Sequence, residues 1–296
     1  MSMGLDDRLR RLEGLLGSVA GKVKNHRPGW WSLTDGNGSL RRVDVRMIDG
    51  WLRFETTPDC SVEGFGPWQL LRHTGSLDPA MKLSLPAVEG GTVLCADLPV
   101  RDVLEGGSLA VLVARLGVET SEGDLDEEKD RASGACIPAS DELVDLCREA
   151  GWDAAAKSDG AIRIDCSIRG SSRTLGLQPD PETGALKVAT GLVDLESPTA
   201  GVRDAVAVLL LSLSDAVWGL RGFADEAGDR VTAGIETTVW GSSADAVSDA
   251  VAAVAFGCDL AADEATALAT DAIAKKYLEL RGMTEWLQET GARRAS

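Results

Sequence analysis

The spacing of apolar residues along the chain predicts several helices. In residues 4–24 apolar side chains recur every three or four positions, which is the period of an amphipathic helix. Asp6 and Asp7 lie in the first turn, where acidic side chains favour the helix dipole. Helices are predicted over residues 4–24, 68–73, 108–116, 140–150, 201–221 and 243–281, the last with a break near Gly257.

Alternating apolar and polar residues predict strands between these helices. Val43, Val45 and Met47 alternate with polar residues, a pattern typical of a half-buried strand. Residues 162–168 follow the same alternation with isoleucine and cysteine on the apolar face. Further strands are predicted over residues 51–57, 81–85, 92–98, 175–177, 186–188 and 231–239.

Two stretches of the chain resemble each other, and this internal repeat sets the expected architecture. Gly29-Trp30 follows one predicted helix, and Gly151-Trp152 follows another at an offset of 122 residues. An alternating strand comes after each pair, and a repeat of this kind indicates tandem structural units. We therefore predict an α+β fold of two units, each ordered as helix, three-strand meander, helix, two strands and helix. The sheets are expected to be antiparallel, with the helices packed on one face.

An acidic stretch separates the two copies. The first unit is predicted to span residues 1–118 and the second residues 140–296, with residues 119–139 as a linker rich in Asp and Glu. Acidic residues alternate over 124–130 as in a calcium-binding loop. Lys129 stands where such a loop requires glycine, and no helix pair flanks the stretch. A solvated linker is therefore favoured over a calcium site.

The net charge of −17 restricts the possible partners. Nucleic acid and anionic membrane surfaces both require clustered Lys and Arg, so neither is expected as a partner. The longest apolar run, residues 205–211, is far too short to cross a bilayer, and the N-terminus lacks the apolar centre of a signal peptide. A cytoplasmic protein is therefore expected.

The sequence offers little for catalysis. No two of the six cysteines form a C-x-x-C pair, and they are expected to be reduced, buried thiols. The two histidines, His26 and His73, have no nucleophile or carboxylate at a spacing that indicates catalysis. Phosphate-binding, hydrolase and zinc-protease motifs are absent from the sequence. We predict no catalytic residue, no metal and no cofactor.

The tryptophans are the most suggestive side chains, since the chain has eight Trp and a single Tyr. Trp51 lies on the same face of its predicted strand as Arg53 and Glu55, so that face is expected to be exposed. An exposed Trp among charged residues is typical of a protein-contact anchor, whereas a Trp that covers the side of a sheet has only a structural role. Both alternatives stay open, and the candidate partner-binding residues are Trp30, Trp31, Trp51 and Trp68.

The predicted order of elements resembles the type III secretion chaperone-like fold, which includes the YbjN-type domains. The resemblance rests on the helices over 4–24, 108–116, 140–150 and 243–257 and on the strands over 40–57 and 161–178. It is one of topology and acidic composition, and it covers nearly the whole chain twice. It implies a dimer that wraps an extended segment of a partner protein, which a tandem chain would imitate within one molecule.

Three functions follow as hypotheses. The first is a non-enzymatic protein-binding module that holds an extended partner segment through apolar contacts and pairing at an open strand edge. The second is a structural or oligomer-forming protein without a client, and the third is an enzyme whose mechanism the sequence does not reveal. The expected partner is a protein segment or another subunit, and the chain is expected to be a pseudo-dimeric monomer or a homodimer.

Overall fold

The structure, a computed structural model, describes most of both predicted units. The described residues are 4–34, 42–48, 50–58, 62–77, 81–86, 91–105, 109, 112–113, 116, 139–158, 160–168, 171–179, 185–239 and 243–283. The predicted linker lies outside these ranges apart from residue 139. The helix predicted over 108–116 is described only at Leu109, Leu112, Val113 and Leu116, which are helical and buried.

The first unit begins with a helix and continues into a four-strand meander. A second helix, two further strands and a short third helix follow. Its elements are α1 (Leu5–Val19), β1 (Lys22–Arg27), β2 (Trp30–Thr34), β3 (Val43–Ile48), β4 (Trp51–Thr56), α2 (Pro67–Ser76), β5 (Met81–Ser84), β6 (Val93–Pro99) and α3 (Val100–Glu105).

The second unit repeats this order and ends with two consecutive helices. Its elements are α4 (Ser140–Glu149), β7 (Asp153–Ala156), β8 (Ile162–Ile168), β9 (Ser171–Pro179), β10 (Leu186–Glu196), α5 (Ala200–Ala216), β11 (Arg221–Ala227), β12 (Arg230–Val239), α6 (Ala244–Leu268) and α7 (Asp271–Leu280).

The two sheets have the same topology. The first has the strand order β1-β2-β3-β4-β6-β5, and the second has the order β7-β8-β9-β10-β12-β11. All described strand pairs are antiparallel. The predicted α+β fold of two tandem units is therefore confirmed, and the repeat in the sequence corresponds to a repeat in the structure.

Each meander has one strand more than the three predicted. The helix predicted over 4–24 ends at Val19, because Ala20 adopts extended backbone angles and Gly21 follows it. The chain then forms β1, in which Val23 is the single apolar residue, so the strand lacks an alternating pattern. β7 has the sequence Asp-Ala-Ala-Ala, which also lacks alternation.

The buried apolar residues of both units form one hydrophobic core. In the second unit, α6 lies close to the sheet because Gly257 has no side chain. A Cβ there would lie 2.5 Å from Leu220 Cδ1 and 2.7 Å from Ile235 Cδ1. Within the described ranges, no helix combines the length and apolar character that a bilayer crossing requires.

Candidate functional site

The four candidate tryptophans lie in three different environments. Trp31 is 1% exposed and belongs to the core of the first unit. Trp30, the preceding residue on β2, is half-buried beside the outer edge of the sheet. Trp51 and Trp68 both contact the second unit. The structure therefore does not bring the four side chains together into one surface.

Trp68 connects the start of α2 to the second unit. Its indole Nε1 donates a hydrogen bond to Glu226 Oε1 at 2.9 Å, and its backbone N–H donates to Asp204 Oδ1 at 3.2 Å. The Asp204 carboxylate thereby satisfies one of the N–H groups that a helix start leaves without an internal partner. Trp68 is 8% exposed, so it is part of the junction between the units.

Trp51 contacts the backbone of the second unit. A Cβ atom placed on Gly219 would lie 2.5 Å from Cη2 of the Trp51 ring, so only glycine allows this approach. Gly219 also has a φ of +82°, which glycine adopts without strain. The Trp51 ring and the Gly219 turn therefore form a close contact between the two units.

The predicted exposure of the β4 face around Trp51 is wrong. Arg53, expected in solvent, is 2% exposed, and Glu55 is half-buried. The face is covered because the C-terminal end of α5 and the turn before β11 lie against it. The sequence pattern of charged residues is typical of an exposed face, and the covering surface comes from a part of the chain more than 150 residues away.

A buried group of charges fills this junction. Arg53 donates two hydrogen bonds to Asp97, from Nε to Oδ1 at 2.7 Å and from Nη2 to Oδ2 at 2.9 Å. Lys82 Nζ lies 2.5 Å from Asp97 Oδ2, and the backbone N–H of Gly219 donates to the same oxygen at 2.8 Å. We call Arg53, Lys82 and Asp97 the junction triad.

Arg53 also bonds the triad to the second unit directly. Its Nη1 donates to the backbone oxygen of Asp215 at 2.6 Å, and its Nη2 donates to that of Ser214 at 3.0 Å. Both carbonyls belong to the last turn of α5, where a helix has unsatisfied acceptors and a negative dipole end. The guanidinium also lies 4.7 Å from the ring of Trp218, a cation–π distance.

Charge pairing outweighs burial at Asp97 and Arg53. Burial alone would raise the pKa of Asp97, but Lys82 and Arg53 lower it to about 2. For Arg53, burial opposes the charge and Asp97 favours it, so that its pKa is raised. The pKa of Lys82 is lowered because burial outweighs the attraction of Asp97. The carboxylate therefore stays ionised in the folded protein at neutral pH.

The contacts across the junction are reciprocal. Lys82 on β5 donates to the backbone oxygen of Leu220 at 2.5 Å, and Arg221 on β11 donates to that of Met81 at 3.3 Å. β5 and β11 are equivalent edge strands of the two sheets. Likewise, α2 contacts α5 and β11, while α5 contacts α2 and β5. In an isologous dimer interface, equivalent surfaces of the two subunits meet in the same way.

The contacts of the junction triad hold the two units together. Asp97 accepts from four donors, one at Oδ1 and three at Oδ2. Cys95, the neighbouring thiol, is buried, and burial raises its pKa to about 12. A nucleophile or general base needs a reactive protonation state and a free approach, and neither residue offers both.

The junction triad was not predicted from the sequence, although Asp97 lies in a recognisable pattern. Asp97 interrupts the apolar run of β6, and both neighbouring residues are buried. A strand buried on both faces reads as a continuous apolar run, so a carboxylate within it requires a buried partner. The identity of that partner was not readable from spacing, because Arg53 and Lys82 lie on other strands.

The outer edge of the first sheet is strand β1, which is exposed to solvent, whereas the junction is buried. In β1 all residues but Val23 are exposed, and the strand carries Lys22, Lys24 and Arg27 with no acidic residue. β2 pairs with one side of β1, and no described strand pairs with the other. The edge therefore presents free backbone groups surrounded by positive charge.

Trp30 lies beside this edge within a group of polar side chains. Its ring centroid lies 4.9 Å from that of His26 and 5.2 Å from the Arg27 guanidinium carbon. His26 Nε2 lies 2.7 Å from Ser32 Oγ, which donates to Asp44 at 2.5 Å, so the histidine nitrogen is the donor to the serine. The buried indole Nε1 of Trp30 has no hydrogen-bond partner among the described residues.

The described cysteines and acidic residues form no further centre. Cys95, Cys147, Cys166 and Cys258 are buried free thiols. In the part of the chain that the structure describes, no three side chains of the metal-binding types converge on one point. The predictions of no metal and no disulfide stay predictions, since Cys60 and Cys136 lie outside the described residues.

Comparison with known proteins identifies no family. The sequence matches no protein-family model and no curated protein. The crystal structure of the di-domain ARO/CYC BexL from the BE-7585A biosynthetic pathway aligns at 13% identity over 92% of this chain and 94% of its own, with a TM-score of 0.14. That of the di-domain ARO/CYC StfQ from the steffimycin biosynthetic pathway aligns at 12% identity over 91% and 94%, with a TM-score of 0.13. Scores this low carry no argument about fold or function, and the chaperone resemblance stays a prediction.

Proposed function

We propose that the chain is a non-enzymatic protein-binding module of secretion-chaperone type. The two fused units would replace the two subunits of a homodimer, and the module would hold an extended segment of a partner protein. The observation that carries this proposal is the reciprocal junction, since an isologous contact between equivalent elements is how subunits of a dimer meet.

The junction also decides which strand edges are left for a partner. Each sheet has two edge strands, and the contacts of β5 and β11 place those two at the junction. β1 and β7 are the remaining edges. β1 has six residues and β7 has four, so β1 offers the longer row of backbone groups. An extended segment that pairs with an open edge gains backbone hydrogen bonds of this kind.

The basic residues of β1 favour pairing with a partner segment over pairing with a second copy of the chain. Charged side chains, Lys above all, protect natural edge strands from pairing with copies of themselves. Two β1 strands side by side would bring Lys22, Lys24 and Arg27 of one copy against those of another, which is unfavourable. A neutral or acidic partner segment meets no such repulsion, so the same charges favour a partner over self-association.

Trp30 is the best candidate anchor of the four tryptophans. Trp31 is in the core, and Trp51 and Trp68 contact the second unit. Trp30 is half-buried, adjacent to β1, and packed against His26 and Arg27. Partly exposed tryptophans at an edge are typical of residues that dominate binding energy.

Selection from a library of displayed random twelve-residue peptides tests this proposal. We expect the protein to select peptides of extended, alternating pattern that bind with micromolar affinity in fluorescence anisotropy. N-methylation of alternate backbone nitrogens should abolish binding in one of the two registers, because only one set of N–H groups faces the edge strand. Trp30→Ala should weaken binding about tenfold or more.

The result also separates the proposal from its alternatives. Failure to select any binding peptide would favour a structural protein without a client. Peptides whose affinity is insensitive to N-methylation in both registers would contradict strand pairing. Trp31→Ala is not a suitable comparison because that ring is core. Trp152→Ala, at a half-buried tryptophan of the second unit, serves as the matched control.

A further inference from the structure

Helix α6 presents two large apolar side chains to solvent. Phe256 is 49% exposed and Leu260 is 46% exposed. They lie four residues apart, so they are neighbours one turn apart on the same face of the helix. Ala252, one turn before Phe256, is exposed too and extends this face with a small side chain.

The exposed pair is not needed to hold α6 in place. The opposite face of the helix already packs on the second sheet, with Gly257 in close contact with Leu220 and Ile235. A surface helix usually keeps its apolar residues on the face that it buries and polar residues on the other. Phe256 and Leu260 depart from that rule, and neighbouring exposed apolar residues are a feature of interaction sites.

The charges of α6 are all of one sign. The helix has five acidic residues and no basic one, namely Asp245, Asp249, Asp259, Asp263 and Glu264. Two precede the apolar pair and three surround or follow it. Arg101 of the first unit approaches Asp245 at 3.4 Å and Asp249 at 3.5 Å, so the first two are already partly compensated. Asp263 and Glu264, three and four residues after Leu260, are exposed beside the apolar pair.

We propose that this face of α6, defined by Ala252, Phe256 and Leu260 with the flanking carboxylates, docks a basic amphipathic helix of a partner protein. A helix fits because side chains spaced by four residues form a ridge that packs into the groove of a second helix. The small Ala252 allows close approach at one end. Lys and Arg around the apolar face of the partner would lie opposite Asp263 and Glu264.

A second copy of this chain is a poorer occupant. A symmetric contact between two α6 helices would bring together two acidic helices without a basic residue, and like charges at such a contact are unfavourable. The α6 face also lies on the second unit, whereas β1 lies on the first. Docking of a helix at α6 therefore does not depend on strand pairing at β1, and one can occur without the other.

The test uses a fluorescein-labelled peptide of 18 residues, composed of Leu at amphipathic helical spacing and Lys elsewhere. Fluorescence anisotropy with the full chain should show saturable binding, and a peptide with Glu in place of Lys should not bind. Phe256→Ala with Leu260→Ala should weaken binding about tenfold or more. The matched control is Leu5→Ala with Ile48→Ala, which removes two side chains of similar exposure, 63% and 52%, from the first unit.

A second pair of variants isolates the charge contribution. Asp263→Asn with Glu264→Gln should weaken binding of the basic peptide several-fold. Asp6→Asn with Asp7→Asn makes an equal change in net charge on α1 and should leave the affinity for the peptide within twofold. All four residues are exposed, so each variant should fold, which circular dichroism checks. Equal effects of the α6 variants and their controls would show general attraction to an acidic protein and overturn the proposal, as would an absence of binding.

Discussion

Removal of Arg53 should destabilise the protein far more than removal of any exposed arginine. Arg53→Met deletes the two hydrogen bonds to Asp97 and the two to the carbonyls of α5, while the methionine keeps much of the side-chain volume. Asp97 would keep only Lys82 and the Gly219 N–H as donors. The terminal carbonyls of α5 would lose their buried partner.

The expected loss follows from the burial of the pair. Arg53 and Asp97 have side chains only 2% and 3% exposed, so water cannot replace the lost partner. Breaking a buried pair in this way costs about 3–5 kcal/mol of unfolding free energy. At about 2–4 °C per kcal/mol for chains of roughly this size, the thermal midpoint should fall by about 6–20 °C.

Arg46→Met is the matched control, because Arg46 lies directly opposite Arg53 in the β3–β4 register. Arg46 pairs with Glu55 at 2.8 Å but is 48% exposed, so its loss should cost less than about 1 kcal/mol. Midpoints are measured for both variants by circular dichroism and tryptophan fluorescence. Equal midpoints for the two variants, or a loss below about 1 kcal/mol for Arg53→Met, would refute the assigned role of the junction triad.

Three further predictions follow from the junction. The pKa of Asp97 is lower in the folded protein (about 2) than its ordinary 3.8, so its contribution to stability is complete above about pH 4 and is lost as the pH falls toward 2. Thermal unfolding should therefore show a loss of about 2 kcal/mol of unfolding free energy over that range, and Asp97→Asn should lack this contribution. Gly219→Ala should lower the midpoint more than Gly228→Ala, since both positions have positive φ but only at Gly219 would a Cβ meet the Trp51 ring; equal shifts would count against that contact. Cys95 should react with a thiol reagent only after unfolding, since it is buried and its pKa is raised to about 12. Rapid labelling of Cys95 in the native protein would disprove its burial.

Much of the fold was predictable because the tandem repeat and the alternating strands both follow from local patterns. Strands such as β3 and β8 bury one face, so their alternation is regular. β1 and β7 were missed because an exposed edge strand buries too little on either face to alternate. The helix α1 was predicted to continue to residue 24 because Val23 keeps the helical spacing. Gly21 and the extended backbone at Ala20 end the helix before that point.

The environment of the candidate site depended on contacts between distant parts of the chain. Trp51, Arg53 and Glu55 have the pattern of a solvated face, and nothing local indicates that α5 covers Arg53. The same holds for Trp68, whose partners Asp204 and Glu226 are more than 130 residues away. Local patterns identify charged faces, but the folded structure decides whether another unit covers them.

Hydrogen–deuterium exchange on binding a selected peptide tests the proposed function most directly. If the peptide adds to the open edge of the first sheet, amides of Lys22–Arg27 should exchange more slowly in the complex, because free N–H groups of β1 gain acceptors. Amides of β5 and β11 at the junction should be unchanged. Protection confined to the junction strands or to the second unit, with β1 unaffected, would contradict the account.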